Sequence, residues 1–159
     1  MARNEIEIDA PRESVYAVLS DPRSYGCWVV GSSAIRAADP DWPAPGSAFD
    51  HRVGLWRFAL HDHTDVVTAR PPEELVLIAH ASPFPPARIH LRLTERAGAT
   101  RVILEEAPTS RLLSLLLTPL GHRVLWLRNL EALRRLKGLA EGRIPRPTGS
   151  LPPRTALAD

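Results

Sequence analysis

Four polar side chains stand at alternate positions within apolar runs: His51, Asp62, Thr64 and Glu106. Alternate residues of an extended strand share a face. Asp62 and Thr64 should therefore point the same way as Trp56, Phe58, Leu60 and Val66, His51 the same way as Phe49 and Val53, and Glu106 the same way as Val102 and Leu104. A carboxylate on an apolar face must be paired, hydrogen-bonded or protonated. Two such groups converging on an apolar pocket can orient a polar ligand or move protons. His51, Asp62 and Glu106 are thus the candidate catalytic residues. The competing expectation is that Asp62 and Glu106 lie near strand ends, wet or bonded to backbone. Arg123 is the candidate counter-charge, near the mouth of such a pocket.

The other histidines lead elsewhere. His61-Asp62-His63 has the look of a metal pair, and His63, His80 and His90 can line up across three strands. The same alternation puts them on the opposite, polar face with Arg88 and Arg92, which predicts a solvated row and no metal site. Cys27 has no cationic neighbour in sequence, so a nucleophilic role is not expected. No Gly-rich phosphate loop, nucleophile elbow, C-x-x-C or H-E-x-x-H occurs, and no cofactor is expected.

Turn signals divide the chain. Ile6 and Ile8 mark a first strand, and Asp9 and Pro11 the start of a short helix carrying Val15, Val18 and Leu19. Asp21-Pro22 opens a second short helix through about Val29. Pro40, Pro43, Pro45 and Gly46 make a loop, with a short strand possible near Ala34–Ala37. Strands follow over Ala48–Val53, Leu55–Ala69, Leu75–Ala81, Ala87–Arg96 and Thr100–Ala107, broken at Gly54, Pro71-Pro72, Pro83 to Pro86 and Gly98. From Ser110 to Gly142 the pattern is helical, interrupted at Pro119, with Val124, Leu127, Leu130, Leu133, Leu136 and Ala140 as its apolar face. Residues 1–142 read as one domain, and residues 143–159 as a Pro-rich, disordered tail.

The 159 residues suffice for one domain with a real core. The 20 basic residues, nineteen of them arginine, nearly balance 18 acidic ones. No basic block occurs, so no nucleic-acid role is expected. No apolar run is long enough for a membrane span. A single cysteine and the lack of a signal-like N-terminus suggest the cytoplasm.

One stretch carries a family resemblance. The pattern I-x-I-x-A-P-x-x-x-V-Y-x-V-L-S-D-P-x-x-Y-x-x-W over Ile6–Trp28, with Pro45-Gly46-Ser47, Pro71-Pro72 and L-x-x-L-x-x-L-K-x-x-A-E-G over Leu130–Gly142, resembles the START-like (SRPBCC, Bet v 1-like) superfamily. Its polyketide cyclase/dehydrase branch is the most similar. The resemblance implies an α+β helix-grip fold: a curved antiparallel sheet around a long C-terminal helix, two short helices after the first strand, and a cavity between sheet and helix.

Within that frame the expected ligand-binding residues are Tyr25 and Trp28 from the short helices. From the strands come Phe49, His51, Phe58, Leu60, Asp62, Thr64, Leu77, Ala79, Leu91, Leu104 and Glu106, and from the long helix Leu120, Arg123, Val124 and Leu127. Three functions compete. The first is binding of a hydrophobic small molecule, polyketide-, lipid- or aromatic-like. The second is a polyketide aromatase/cyclase or dehydrase acting through cavity acid–base groups, and the third a protein-interaction domain. Fold alone does not choose among them. Oligomeric state is open.

Overall fold

A computed structural model describes residues 2–53, 60–81, 84–109 and 119–154. It contains strand β1 (Ala2–Ile8), helix α1 (Arg12–Leu19), a 3₁₀ turn (Pro22–Ser24) and helix α2 (Tyr25–Trp28). Strands β2 (Ser32–Ala38), β3 (Ala48–Val53), β4 (Leu60–Arg70), β5 (Glu74–Ala81), β6 (Phe84–Arg96) and β7 (Ala99–Pro108) follow, then helix α3 (Pro119–Ala140). The strands form one antiparallel sheet of seven, in the order β1-β7-β6-β5-β4-β3-β2. This is the helix-grip fold.

Local chemistry explains most boundaries. Pro11 occupies the N-cap of α1 without any side-chain cap. Asp9, expected near that cap, instead lies 3.5 Å from the Lys137 ammonium. Asp21 does cap: its carboxylate accepts the Arg23 N–H at 3.0 Å, with Pro22 in the first turn, where no N–H is needed. Between β6 and β7, Ala97 and Gly98 make a two-residue turn between the paired Arg96 and Ala99. Both have positive φ, 51° and 81°, as the twist of a tight hairpin requires. Gly142, at φ 71°, lies just past the end of α3.

Strand alternation sets the inward face between bulges. Leu75, Leu77, Leu91, Leu93, Val102 and Leu104 point inward and are buried, as are Val66 and Phe49. A bulge between Val66 and Thr68 shifts the β4–β5 register, and past it Val76 is buried as well. Pro85 and Pro86, expected to break the chain, fall inside β6. They sit in its opening residues, where a missing donor is tolerated.

The core lies where α1 and the C-terminal half of α3 press on the sheet. Leu133 and Leu136 are fully buried among Ile8, Val15, Leu19, Leu75 and Leu91. The apolar face of α3 differs from its expected course near the N-terminal end. Val124 and Leu127 are 59% and 52% exposed, and Leu125, Arg128 and Asn129 take their place on the sheet side. Over residues 143–154 the chain runs back along the body: the Pro152 carbonyl accepts the Ala38 N–H at 3.2 Å, Leu151 packs against the core, and Arg154 Nε donates to Asp50 at 3.0 Å.

Candidate functional site

Where β5, β6 and β7 extend beyond the packed core, α3 and the sheet separate. The space between them is a cavity of about 540 Å³. Its sheet wall is Phe49, His51, Thr64, Leu77, Ala79, Ala87, Ile89 and Glu106. Tyr25 and Trp28, with the turn over residues 29–32, form one side, and Leu125 and Arg128 of α3 form the roof. Small side chains at positions 79 and 87 are a direct cause of the opening. Alanine stands there, whereas Leu75 and Leu91 occupy the inward positions of the same strands in the packed core.

Tyr25 organises the aromatic side. Its ring lies 5.0 Å from Trp28, 5.6 Å from Trp42 and 4.8 Å from Phe49, measured between centroids. Its hydroxyl donates to the Leu19 carbonyl at 2.9 Å, and Trp42 Nε1 reaches the same oxygen at 3.3 Å. Burial holds the Tyr25 phenol well above its ordinary pKa of 10.0, with Tyr16 and Asp21 adding to the effect. This hydroxyl is therefore a fixed structural donor. Trp28 Nε1, in contrast, is buried with no hydrogen-bond partner among the described residues.

The charged centre is Glu106 with Arg128. One guanidinium nitrogen of Arg128 donates to both carboxylate oxygens, at 2.8 and 2.7 Å. The Glu106 side chain is 7% exposed and that of Arg128 40%. A buried carboxylate is thus neutralised by a cation that still reaches water, which limits the desolvation cost of the pair. Arg123, the expected partner, is exposed. Five residues of helix place Arg128 more than a full turn further on and on the other side of the axis.

His51 lies on the same inward face, cross-strand from Asp62. Burial lowers its pKa below the usual 6.5; the Asp62 charge opposes that shift and His63 adds to it. Its Nδ1 is buried and has no hydrogen-bond partner among the described residues. Asp62 is buried, with Oδ1 accepting the His63 N–H at 3.2 Å. It stands beside His51 and does not line the cavity.

Of the residues expected from sequence, the structure brings Tyr25, Trp28, Phe49, His51, Thr64, Leu77, Ala79 and Glu106 around one cavity. Leu91 and Leu104 are packed core, and Val124, Leu127 and Arg123 face solvent. Phe58, and the side chains of Leu60 and Leu120, lie outside the described residues. Sequence reasoning missed Leu125 and Arg128. The available signal was a polar pair, Arg128-Asn129, lying three and four residues after Leu125 and in line with Ala132 and Leu133.

The histidines of the outer face are not simply solvated. His90 Nε2 meets Glu74 at 2.6 Å, and His80 Nε2 meets Asp65 at 3.1 Å. His63 Nε2 lies 3.4 Å from the same Asp65 carboxylate.

Comparison with known proteins agrees with this architecture. The profile of the family described as activator of Hsp90 ATPase homolog 1-like protein (AHSA1) matches residues 9–137. The chain belongs to the AHSA1-like family. It thereby falls in the START-like superfamily that its N-terminal motif resembles. Among solved structures, DynU16, a protein of the dynemicin biosynthetic locus, superposes with TM-score 0.65 at 20% identity over 92% of this chain. The chain spans about half of DynU16, 49% of its length. TTHA0849 from Thermus thermophilus gives 0.66 at 14% identity, covering 91% of this chain and 99% of that one. CalU16 from Micromonospora echinospora gives 0.58 at 23% identity, covering 90% and 75%. At these identities the likeness is one of fold. No curated protein matches the chain in sequence. No helix among the described residues is long and apolar enough to cross a membrane.

Proposed function

We propose that this AHSA1-like protein binds a hydrophobic small molecule in the cavity between the sheet and α3. The observation that carries the reading is the cavity itself: about 540 Å³, with predominantly apolar walls and a single neutralised ion pair at one side. Ligand sites for small organic molecules fall in the range of about 300–1,000 Å³ and combine apolar walls with a few placed polar groups. The Glu106–Arg128 pair, Thr64 and His51 are those groups. The unpartnered Trp28 Nε1 and His51 Nδ1 add support. Leaving such an atom buried and unpaired costs about 1–3 kcal/mol, which a ligand carbonyl or hydroxyl would offset. The ligand is then an aromatic or polyketide-like molecule with oxygen substituents, in preference to a plain alkyl chain.

A second reading is turnover, with the cavity folding a polyketide-like chain for cyclisation or dehydration. It is favoured by the carboxylate of Glu106 inside an apolar enclosure, where a group able to exchange protons stands against the substrate. The protein-interaction reading draws on the family's description and on the exposed Val124, Trp126 and Leu127 of α3.

Native mass spectrometry of freshly purified protein, followed by solvent extraction, tests the binding reading. A released apolar molecule near one equivalent is expected. An Ala79→Phe variant, which fills the cavity from β5, should lose that molecule and any fluorescent apolar probe that occupies its place. Probe binding unchanged by this substitution would sink the reading. Glu106→Gln separates carrier from enzyme: it should only tune affinity in a carrier, but abolish product formation in a cyclase.

A further inference from the structure

On the water-facing side of the sheet, away from the cavity interior, β4 and β5 bring three ligand-bearing side chains together. His63 and Asp65 are two apart on β4 and so share a face. Thr64 pairs with Ala79, which sets the next residues, His63 and His80, side by side across the strands. The two imidazoles stack with centroids 4.1 Å apart and planes 19° apart. Both Nε2 atoms converge on one oxygen of Asp65, His80 at 3.1 Å and His63 at 3.4 Å. All three donor atoms lie within 4.8 Å of one another.

We propose that His63, Asp65 and His80 form a surface site for a divalent late first-row metal ion such as Zn²⁺ or Ni²⁺. Two imidazoles and a carboxylate are borderline donors suited to these ions and poorly suited to Ca²⁺ or Mg²⁺. An ion held about 2.0–2.2 Å from tetrahedral ligands keeps those ligands about 3.2–3.6 Å apart. The His–Asp separations already stand close to that spacing, so small side-chain rotations complete the set. Three protein ligands leave a coordination position open to water or to an exogenous ligand. The backbone beneath is a paired sheet, which fixes the ligand-bearing Cα positions before the metal arrives. Arg154 is held by Asp50, cross-strand from His63, at 3.0 Å and by Asp39 at 3.5 Å. His80 also borders the cavity, but its Nε2 is turned to Asp65.

The test is calorimetric titration of the full chain, without an affinity tag and stripped with EDTA, with ZnCl₂ and NiCl₂. One equivalent is expected to bind. His63→Ala and His80→Ala should each weaken binding by more than about tenfold, the loss that even an outer-shell change can cause. Asp65→Asn should weaken it less, and His90→Ala should leave it unchanged, because His90 is paired with Glu74. Circular dichroism melts establish that each variant is folded. In proton NMR spectra, substoichiometric Ni²⁺ should broaden the ring signals of His63 and His80 first. No binding of either ion, or one-equivalent binding retained in the folded His63→Ala/His80→Ala double variant, would overturn the assignment.

Discussion

The two ends of the grip between sheet and α3 are built from the same elements and do opposite things. At the closed end, Leu133 and Leu136 of α3 meet Leu75, Leu91 and Ile8, all fully buried. At the open end, Leu125 of the same helix faces Ala79, Ala87 and Ile89 across a cavity that the Arg128–Glu106 pair borders. The strands are continuous from one end to the other, so the difference lies in side-chain volume and polarity. Large aliphatic residues close the space at one end. Alanines and one ion pair keep it open at the other. Stability is thereby concentrated at the closed end, and the open end can change without unfolding the domain.

That contrast breaks or sharpens under substitution. The largest effect should come from Leu136→Ala at the closed end, which deletes a fully buried side chain and should cost about 2–5 kcal/mol in chemical denaturation. Leu125→Ala at the open end should cost under about 1 kcal/mol, since the deleted atoms already face a void. Equal costs would mean that the open end is packed core and the ligand reading is wrong.

A middle-sized effect is expected from the ion pair. Arg128→Met leaves the Glu106 carboxylate buried and unpaired and should cost about 1–3 kcal/mol. Adding Glu106→Gln to it should recover part of that loss, which a double-mutant cycle in urea would measure. If Arg128→Met is silent, water reaches Glu106 freely and the cavity is wetter at that wall than its burial indicates.

Smaller still is the pH effect at the cavity wall. Burial lowers the folded-state pKa of His51 from 6.5. Above 6.5 both folded and unfolded forms are neutral there, and the contribution is fully present. As pH falls below 6.5 the unfolded chain takes up the proton first, so stability declines until the folded-state value is passed, then levels off. His51→Gln should remove this part of the slope in urea midpoints collected from pH 8 downward. A slope unchanged by the substitution would show that His51 is hydrated in the native state.

The smallest effect lies far from the cavity, at the β6–β7 turn. Ala97 adopts φ 51°, where a Cβ is disfavoured. Ala97→Gly or Ala97→Asn should raise stability by up to about 1 kcal/mol, read as a higher melting temperature with ligand binding unchanged. A loss of binding in either variant would tie the two regions together and weaken the division drawn between them.

Strand parity was the most legible feature of the chain. From alternation alone, His51, Thr64, Leu77, Ala79 and Glu106 were expected on one inward face, and they stand around one cavity. The reason is geometric: the side-chain period of a strand is two, so a single register decision orients every residue until a bulge intervenes. The long helix was less legible. Val124, Leu127, Leu130 and Leu133 recur every third residue, a spacing that winds around the helix until its ends lie about 180° apart, whereas Leu125, Asn129 and Leu133, four apart, stay on one side. Only packing against the sheet decides which stripe turns inward, and it turned Arg128 toward Glu106 in place of Arg123. The contacts of the tail are likewise not legible in the sequence. Its composition suggests disorder, but single contacts such as Arg154 with Asp50 do not register in composition.

By itself, then, the sequence determined the order of elements, the faces of the strands and the turn chemistry, because these depend on local geometry and spacing, and its N-terminal motif carried the resemblance to the family. The tertiary structure alone decided the rotation of α3, the partner of Glu106, the place of the void beside Ala79 and Ala87, and the closure of Asp65 onto His63 and His80. Each of these depends on distances between residues remote in the chain or on adjacent strands, and on the volume left between them.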